Sequence, residues 1–188
     1  MLWLGIVGPN GSGKTTVCQY LSNKGFAVFS LSDEVRKENQ KQGRPMDRDH
    51  LIQTANQLKQ QQGTNILAVR CMSFVGQKSL SHVVFDSIRH ESEVKYLKDK
   101  GVLVIGIQVS VDERFQRIQS RGNDTDQVNM ETFKRQDQVE RLGDSFGQNI
   151  DQCLTHCSVV LDNDGDIDEL YEKVDQILAS HQGGVHAN

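Results

Sequence analysis

Short hydrophobic runs alternate along the chain with longer segments that have a helical period. Five runs rich in valine, isoleucine and leucine predict buried β-strands. These runs are Leu2–Val7, Ala27–Phe29, His82–Phe85, Val102–Val109 and Ser158–Leu161. Several of them are continuously apolar, which is typical of strands that are covered on both faces of a parallel sheet.

The segments between these runs place apolar residues at helical spacing and predict helices. Their expected bounds are Lys14–Ser22, Ser32–Asn39, Arg48–Gln62, Asn65–Phe74, Glu91–Lys100, Val111–Ser120, Met130–Leu142, Gly147–His156 and Asp166–Ser180. The alternation predicts a doubly wound α/β domain with a five-stranded parallel sheet and helices on both faces. Ligands of such sheets collect at the carboxyl ends of the strands.

Length and composition narrow the class of protein. A chain of 188 residues favours one domain, 1–188, and a Gly-rich tail, 182–188, that we expect to be disordered. The net charge is −4 without a basic cluster, which disfavours nucleic acid as a partner. The apolar opening is too short for a membrane span, and four scattered cysteines fit a reducing cytoplasm.

The turn after the first predicted strand carries a phosphate-binding motif. The stretch Gly8–Thr15 matches G-x-x-x-x-G-K-[ST] at every fixed position, between an apolar strand and an amphipathic helix. Glycines let backbone N–H groups approach phosphate oxygens, and the helix adds its positive N-terminal end. We expect the nucleotide to be bound by Gly8, Asn10, Gly11, Ser12, Gly13, Lys14, Thr15 and Thr16. The motif therefore predicts a P-loop NTPase fold that binds ATP with Mg²⁺.

Chemical roles within this motif can be separated. The Lys14 ammonium can reach the β- and γ-phosphates, and the Thr15 hydroxyl can ligate Mg²⁺. Asp86 follows directly on the third predicted strand. A carboxylate at the end of a strand beside a P-loop commonly holds Mg²⁺, directly or through water. We therefore expect Thr15 and Asp86 to form the metal site.

The segment Phe29–Arg36 resembles a part of adenylate-kinase-type nucleoside monophosphate kinases. After the second strand of these enzymes, an Asp and an Arg three residues later face the acceptor, and Asp33 and Arg36 match that pattern. The resemblance implies that Asp33 orients the acceptor oxygen or takes its proton, and that Arg36 binds the acceptor's phosphate. Two other interpretations stay open at this point, a helix cap for Asp33 and a solvated charge for Arg36.

The resemblance continues along the chain. The turn Asp86–Arg89 is similar to the D-G-x-x-R turn of these kinases, with Ser87 in place of glycine, and implies that Arg89 binds the acceptor. The helix that ends near Arg121 resembles the one that leads into their lid, and implies that Arg121, with Arg117 or Arg135, closes on the phosphates from the lid. A small helical lid is expected at about 121–142, with a mobile polar segment at 123–129.

A wider resemblance is carried by four segments, Ala55–Leu58, Leu67–Arg70, Asp86–Val94 and Phe133–Asp137. Over most of its length, the chain is similar to a poorly characterised, largely archaeal group related to dephospho-coenzyme A kinase. That group also resembles the kinase-like region of long dCMP deaminases. The resemblance implies ATP-dependent phosphoryl transfer to a small phosphorylated acceptor, with a (deoxy)nucleoside monophosphate as first candidate. A dephospho-coenzyme A kinase and a non-catalytic nucleotide sensor are the alternatives. The base of either nucleotide and the oligomeric state cannot be read from these residues.

Overall fold

Five parallel strands form one sheet at the centre of the computed structural model, which describes residues 1–121, 128–143 and 146–182. The strands are β1 (Leu2–Val7), β2 (Ala27–Ser30), β3 (His82–Asp86), β4 (Leu103–Gln108) and β5 (Val159–Asp162). Their spatial order is β2-β3-β1-β4-β5. The predicted five-stranded parallel sheet is confirmed.

Nine helices connect and cover these strands within the described ranges. They are α1 (Lys14–Asn23), α2 (Leu31–Lys41), α3 (Arg48–Gln62), α4 (Ile66–Gly76), α5 (Glu91–Asp99), α6 (Val111–Arg121), α7 (Met130–Leu142), α8 (Ile150–His156) and α9 (Ile167–Gln182). The predicted bounds of β1, α3 and α7 agree with the structure at both ends. In the part of the chain that the structure describes, no helix combines the length and apolarity needed to cross a bilayer.

Two hydrophobic clusters fill the two faces of the sheet. One lies under α1 and α9 and includes Leu4, Ile6, Val84, Ile105 and Ile107 from the strands. The other lies under α2, α3, α4, α5 and α8 and includes Val83, Phe85 and Val104. Neighbouring residues of one strand face opposite clusters, because side chains alternate along a strand. This arrangement explains why the strands read as continuous apolar runs.

Tertiary hydrogen bonds move some boundaries away from their predicted positions. The helix expected to begin at Gly147 begins at Ile150. Asn149 is held outside the helix because its N–H donates to the Arg89 carbonyl at 2.9 Å and its side-chain oxygen accepts from the Glu91 N–H at 2.8 Å. A long-range anchor of this kind leaves no periodic signal in the sequence.

Strand pairing at the other end of the sheet extends two elements. Ser30 pairs with Asp86 in the β2–β3 register, so both strands run one residue further than their apolar patterns predicted. Ser30 is also the N-cap position of α2, which places the helix start at Leu31. The polar ends of β2 and β3 are therefore fixed side by side.

The predicted tail lies outside the described residues from 183 onward, and the single-domain organisation stays a prediction.

Candidate functional site

The turn between β1 and α1 has a backbone that requires glycine at two positions. Gly11 has φ 79° and Gly13 has φ 103°, both in the left-handed region. A Cβ on Gly13 would lie 2.5 Å from the Asn163 side-chain nitrogen, and one on Gly11 would lie 2.9 Å from the Arg114 carbonyl oxygen. Both backbone geometry and close packing therefore select glycine here. The amides of this turn lead directly into the N-terminus of α1.

Asn163 supports this turn from the loop that follows β5. Its side-chain N–H donates to the Ser12 carbonyl at 2.8 Å, and Asn163 is buried. Arg117 on α6 donates to the Asn163 carbonyl at 2.8 Å and pairs with Glu113 at 3.1 Å. The loop after β5 and the middle of α6 thus hold the phosphate-binding turn in place.

A second support is an ion pair buried between α6 and α7. Arg114 is fully buried and contacts Asp137 through both carboxylate oxygens, with Nη2 to Oδ2 at 2.7 Å. Arg114 also donates to the Asn10 carbonyl at 3.3 Å. Because bidentate pairs fix orientation as well as distance, this one ties α7 to the phosphate-binding turn. Neither residue was singled out in the sequence, where arginines recur along α6 without a signal that marks the buried one.

Lys14 lies where charges from three other parts of the fold meet. Its ammonium donates to the Pro9 carbonyl at 2.8 Å. The pKa of Lys14 is lowered from 10.5 to about 8, chiefly by burial and also by the charges of Arg89 and Arg121, whereas Asp86 and Glu140 oppose the shift. The structure therefore brings together Lys14 and three side chains predicted from the sequence, Asp86, Arg89 and Arg121.

Glu140 is the member of this group that the sequence did not reveal. It lies on α7 and pairs with Arg48 at the start of α3, with 3.0 Å between Nη2 and Oε1. Arg48, Glu140 and Asn10 line the same cavity beside the phosphate-binding turn. The carboxylate thus joins the start of α3 to the region around Lys14.

Asp33 and Arg36 lie together on the exposed face of α2. Their side chains form an ion pair at 3.0 Å, and Arg36 also donates to the Ser32 hydroxyl at 2.6 Å. Asp33 is not a helix cap, because Ser30 occupies the N-cap position and the Asp33 carboxylate faces Arg36. The capping interpretation was therefore wrong. Asp33 instead belongs to an exposed ion pair with Arg36.

The turn after β3 is fixed through its backbone. Ser87 has φ 61°, and its hydroxyl donates to Asp86 at 3.3 Å. The Arg89 and His90 N–H groups donate to Glu93 at 2.9 and 3.1 Å. Burial raises the pKa of Glu93. The exposed Arg89 side chain donates to the Gln148 side chain at 3.1 Å.

Oxygen ligands suited to Mg²⁺ lie at the same end of the sheet. Thr15 is exposed in the first turn of α1, and Asp86 ends β3, which pairs directly with β1. The Ser12 hydroxyl is fully buried and has no hydrogen-bond partner among the described residues, so the turn retains one unsatisfied donor. Hydroxyl and carboxylate oxygens are the ligands that Mg²⁺ prefers, and the residues present therefore fit the ion.

The predicted lid falls partly outside the described residues. Residues 122–127 are not described, and they include 123–127 of the polar segment 123–129. Arg121 is the exposed last residue of α6, and α7 begins after Asn129, whose side chain caps it by accepting the Thr132 N–H at 2.8 Å. The helical part of the expected lid region is thus present as α7.

Comparisons with known proteins agree with this geometry. Residues 4–143 match the protein family described as AAA domain. The chain is 30% identical to the UPF0200 protein MJ1399 of Methanocaldococcus jannaschii, over 95% of this chain and 89% of that protein. It is 31% identical to the UPF0200 protein MMP1282 of Methanococcus maripaludis, over 93% of this chain and 98% of that protein.

Solved structures share the fold at low sequence identity. The protein TT1252 from Thermus thermophilus superimposes with a TM-score of 0.63 at 20% identity, over 95% of this chain and 97% of that one. Shikimate kinase from Bacteroides thetaiotaomicron gives a TM-score of 0.61 at 14% identity, over 95% and 98% of the two chains. These likenesses confirm the α/β P-loop kinase-like fold.

The lowered pKa of Lys14 predicts that nucleotide affinity depends on pH. A bound polyphosphate stabilises the ammonium, so binding above the pKa of about 8 must take up a proton. The dissociation constant for Mg·ATP should therefore rise about tenfold between about pH 7 and about pH 9, as measured by titration calorimetry. Lys14→Arg stays charged and should show no such rise. A flat profile for the wild type would contradict the prediction.

The buried ion pair predicts an asymmetry between two arginines of similar chemistry. Arg114→Met leaves the buried Asp137 carboxylate with only the distant Arg141, at 4.0 Å among the described residues, and should cost about 3–5 kcal/mol in the free energy of unfolding measured with urea. The control is Arg36→Met, which removes an exposed pair and should cost at most about 1 kcal/mol. Equal losses in the two variants would show that Arg114 and Asp137 are not a buried pair.

Proposed function

Since the chain belongs to the AAA domain family and to the archaeal UPF0200 family, we propose that it transfers the terminal phosphoryl group of ATP to a small phosphorylated acceptor. A (deoxy)nucleoside monophosphate is the first candidate for that acceptor. One observation carries the proposal: the Lys14 ammonium, at the end of a glycine-rich turn, lies within electrostatic reach of Asp86, Arg89 and Arg121. Phosphoryl transfer needs this kind of positioned charge more than covalent chemistry.

The donor side is the turn itself. The residues assigned to the triphosphate are Gly8, Asn10, Gly11, Ser12, Gly13, Lys14, Thr15 and Thr16. Lys14 would exchange the Pro9 carbonyl for phosphate oxygens, since both are acceptors within reach of one flexible side chain. Thr15 and Asp86 would hold Mg²⁺, which supplies charge stabilisation to the phosphates when bound.

The acceptor side is assigned to Asp33, Arg36 and Arg89. Arg36 is exposed, and among the described residues its partners are groups of its own helix, so an acceptor phosphate can take the place of Asp33. That exchange would free the Asp33 carboxylate to orient the acceptor oxygen. Within the described ranges Arg89 has the neutral Gln148 side chain as hydrogen-bond partner, and its charge is therefore available to an anion. Guanidinium groups suit phosphate because they bind it in pairs of hydrogen bonds.

Arg121 is assigned to the transferred phosphate because its charge acts on Lys14 from the end of α6.

The four cysteines are free thiols, and burial raises the pKa of Cys18 and Cys71 to about 12. Reduced thiols of this kind support a cytoplasmic location. Dephospho-coenzyme A as acceptor and nucleotide sensing without turnover are the competing functions.

Removal of the Lys14 charge tests catalysis. Lys14→Ala should lower the rate of ADP formation on the order of 10²–10³-fold, because one positioned charge donor is lost. The matched control is Lys24→Ala, at the other end of the same helix, which should keep the wild-type rate. A Lys14→Ala enzyme with the wild-type rate would remove Lys14 from the chemistry.

Stoichiometry and ligand screening separate the three functions. A kinase forms one ADP per phosphorylated acceptor, whereas a sensor binds ATP without releasing ADP.

In a thermal-shift screen with Mg²⁺, a true ligand at about 100 times its dissociation constant adds about 2.7 kcal/mol to the free energy of unfolding. We expect a nucleoside monophosphate to raise the melting temperature more than dephospho-coenzyme A does. The reverse order would favour the alternative acceptor.

A further inference from the structure

Ser87 has a backbone conformation that is unusual for its residue type. Its φ is 61°, and it is the one non-glycine residue with a positive φ in the described part of the chain. Side chains with a Cβ are disfavoured there, whereas glycine adopts this region readily. Strained positions persist when the surrounding structure uses them, and they concentrate at functional sites. The serine side chain is therefore expected to make a contact that glycine could not make.

The Ser87 hydroxyl is one link in a chain of hydrogen bonds that runs across the carboxyl ends of β2 and β3. Ser30 donates to Ser87 at 2.8 Å, and Ser87 donates to the Asp86 carboxylate at 3.3 Å. Ser30 and Ser32 share a hydrogen bond at 2.9 Å. Because Ser30 has a single hydroxyl hydrogen and uses it on Ser87, Ser32 must be the donor in that bond.

These hydrogen bonds all point in one direction, from the Arg36 guanidinium to the Asp86 carboxylate. Arg36 donates to the Ser32 hydroxyl at 2.6 Å, so every link passes its hydrogen toward Asp86. Hydrogen bonds that point the same way polarise one another and hold their members in one arrangement. The series therefore connects the guanidinium on α2 to the carboxylate at the end of β3.

We propose that Ser87 is a positioning residue that, with Ser30, orients the Asp86 carboxylate for Mg²⁺ through this hydroxyl chain. The proposal rests on the proposed function, in which Asp86 holds the metal. A carboxylate ligand that is itself hydrogen-bonded keeps one orientation, and loss of such an outer partner typically weakens metal affinity 10–100-fold. Glycine at position 87 would relieve the backbone but remove the hydroxyl.

Three substitutions separate the hydroxyl from the backbone. Ser87→Ala removes the hydroxyl and keeps the disfavoured φ, Ser87→Gly removes both, and Ser30→Ala removes the donor to Ser87. The matched control is Ser81→Ala, at the opposite end of β3, where the hydroxyl bonds to His82. The probe is a fluorescent ATP analogue at fixed concentration, titrated with Mg²⁺, and the readout is the Mg²⁺ concentration at half-maximal signal.

Both Ser87 variants should raise this Mg²⁺ midpoint about tenfold or more, and Ser30→Ala should raise it by a smaller factor. Ser81→Ala should leave it at the wild-type value. Without ligand, Ser87→Gly should melt about 2–4 °C above Ser87→Ala, since only the glycine variant relieves the backbone. A merely structural role for Ser87 would move the melting temperature and leave the Mg²⁺ midpoint unchanged.

The outcomes distinguish this proposal from the function on which it rests. Ser87 variants with the wild-type Mg²⁺ midpoint would overturn the positioning role while nucleotide binding stands. A midpoint that rises in Ser87→Ala but not in Ser87→Gly would also overturn it, because the defect would then come from the strained backbone. A wild-type protein whose nucleotide signal does not respond to Mg²⁺ would contradict the proposed metal site itself.

Discussion

The candidate site holds one ammonium group in a place where its charge is unfavourable. Lys14 projects from a turn that partly removes it from water, and its pKa is lowered to about 8, chiefly by burial. Arg89 and Arg121 make the charged form still less favourable, while Asp86 and Glu140 partly restore it. In the proposed function, a polyanion bound here would stabilise the charged form of Lys14 and offset its repulsion from both arginines. A bound phosphate would thus compensate for the cost of bringing these cations together.

Much of the surrounding fold serves to fix the turn that carries this charge. Asn163 bonds to its backbone from the loop after β5, and Arg114 bonds to it from α6 while it pairs with Asp137 on α7. These contacts come from segments more than a hundred residues further along the chain. A short glycine-rich turn has few contacts of its own, and long-range polar bonds supply the rigidity that positioned backbone N–H groups require.

The sequence predicted the sheet and the phosphate-binding turn well because both leave local signals. Apolar runs mark buried strands. The spacing of Gly8, Gly13 and Lys14 is the one that a phosphate-binding turn requires. Buried polar partners have no such signal. Arg114 and Arg117 recur on one amphipathic helix, and only the tertiary structure shows that the first is fully buried. Glu140 likewise reads as a surface charge until α7 is placed beside the turn.

The most direct test of the central claim is a crystal structure with Mg²⁺ and a non-hydrolysable ATP analogue. The triphosphate should lie on the backbone N–H groups of the turn from Gly8 to Thr15. The Lys14 ammonium should leave the Pro9 carbonyl and contact the β- and γ-phosphates. A nucleotide bound elsewhere, or one beside the turn while Lys14 stays on Pro9, would contradict it.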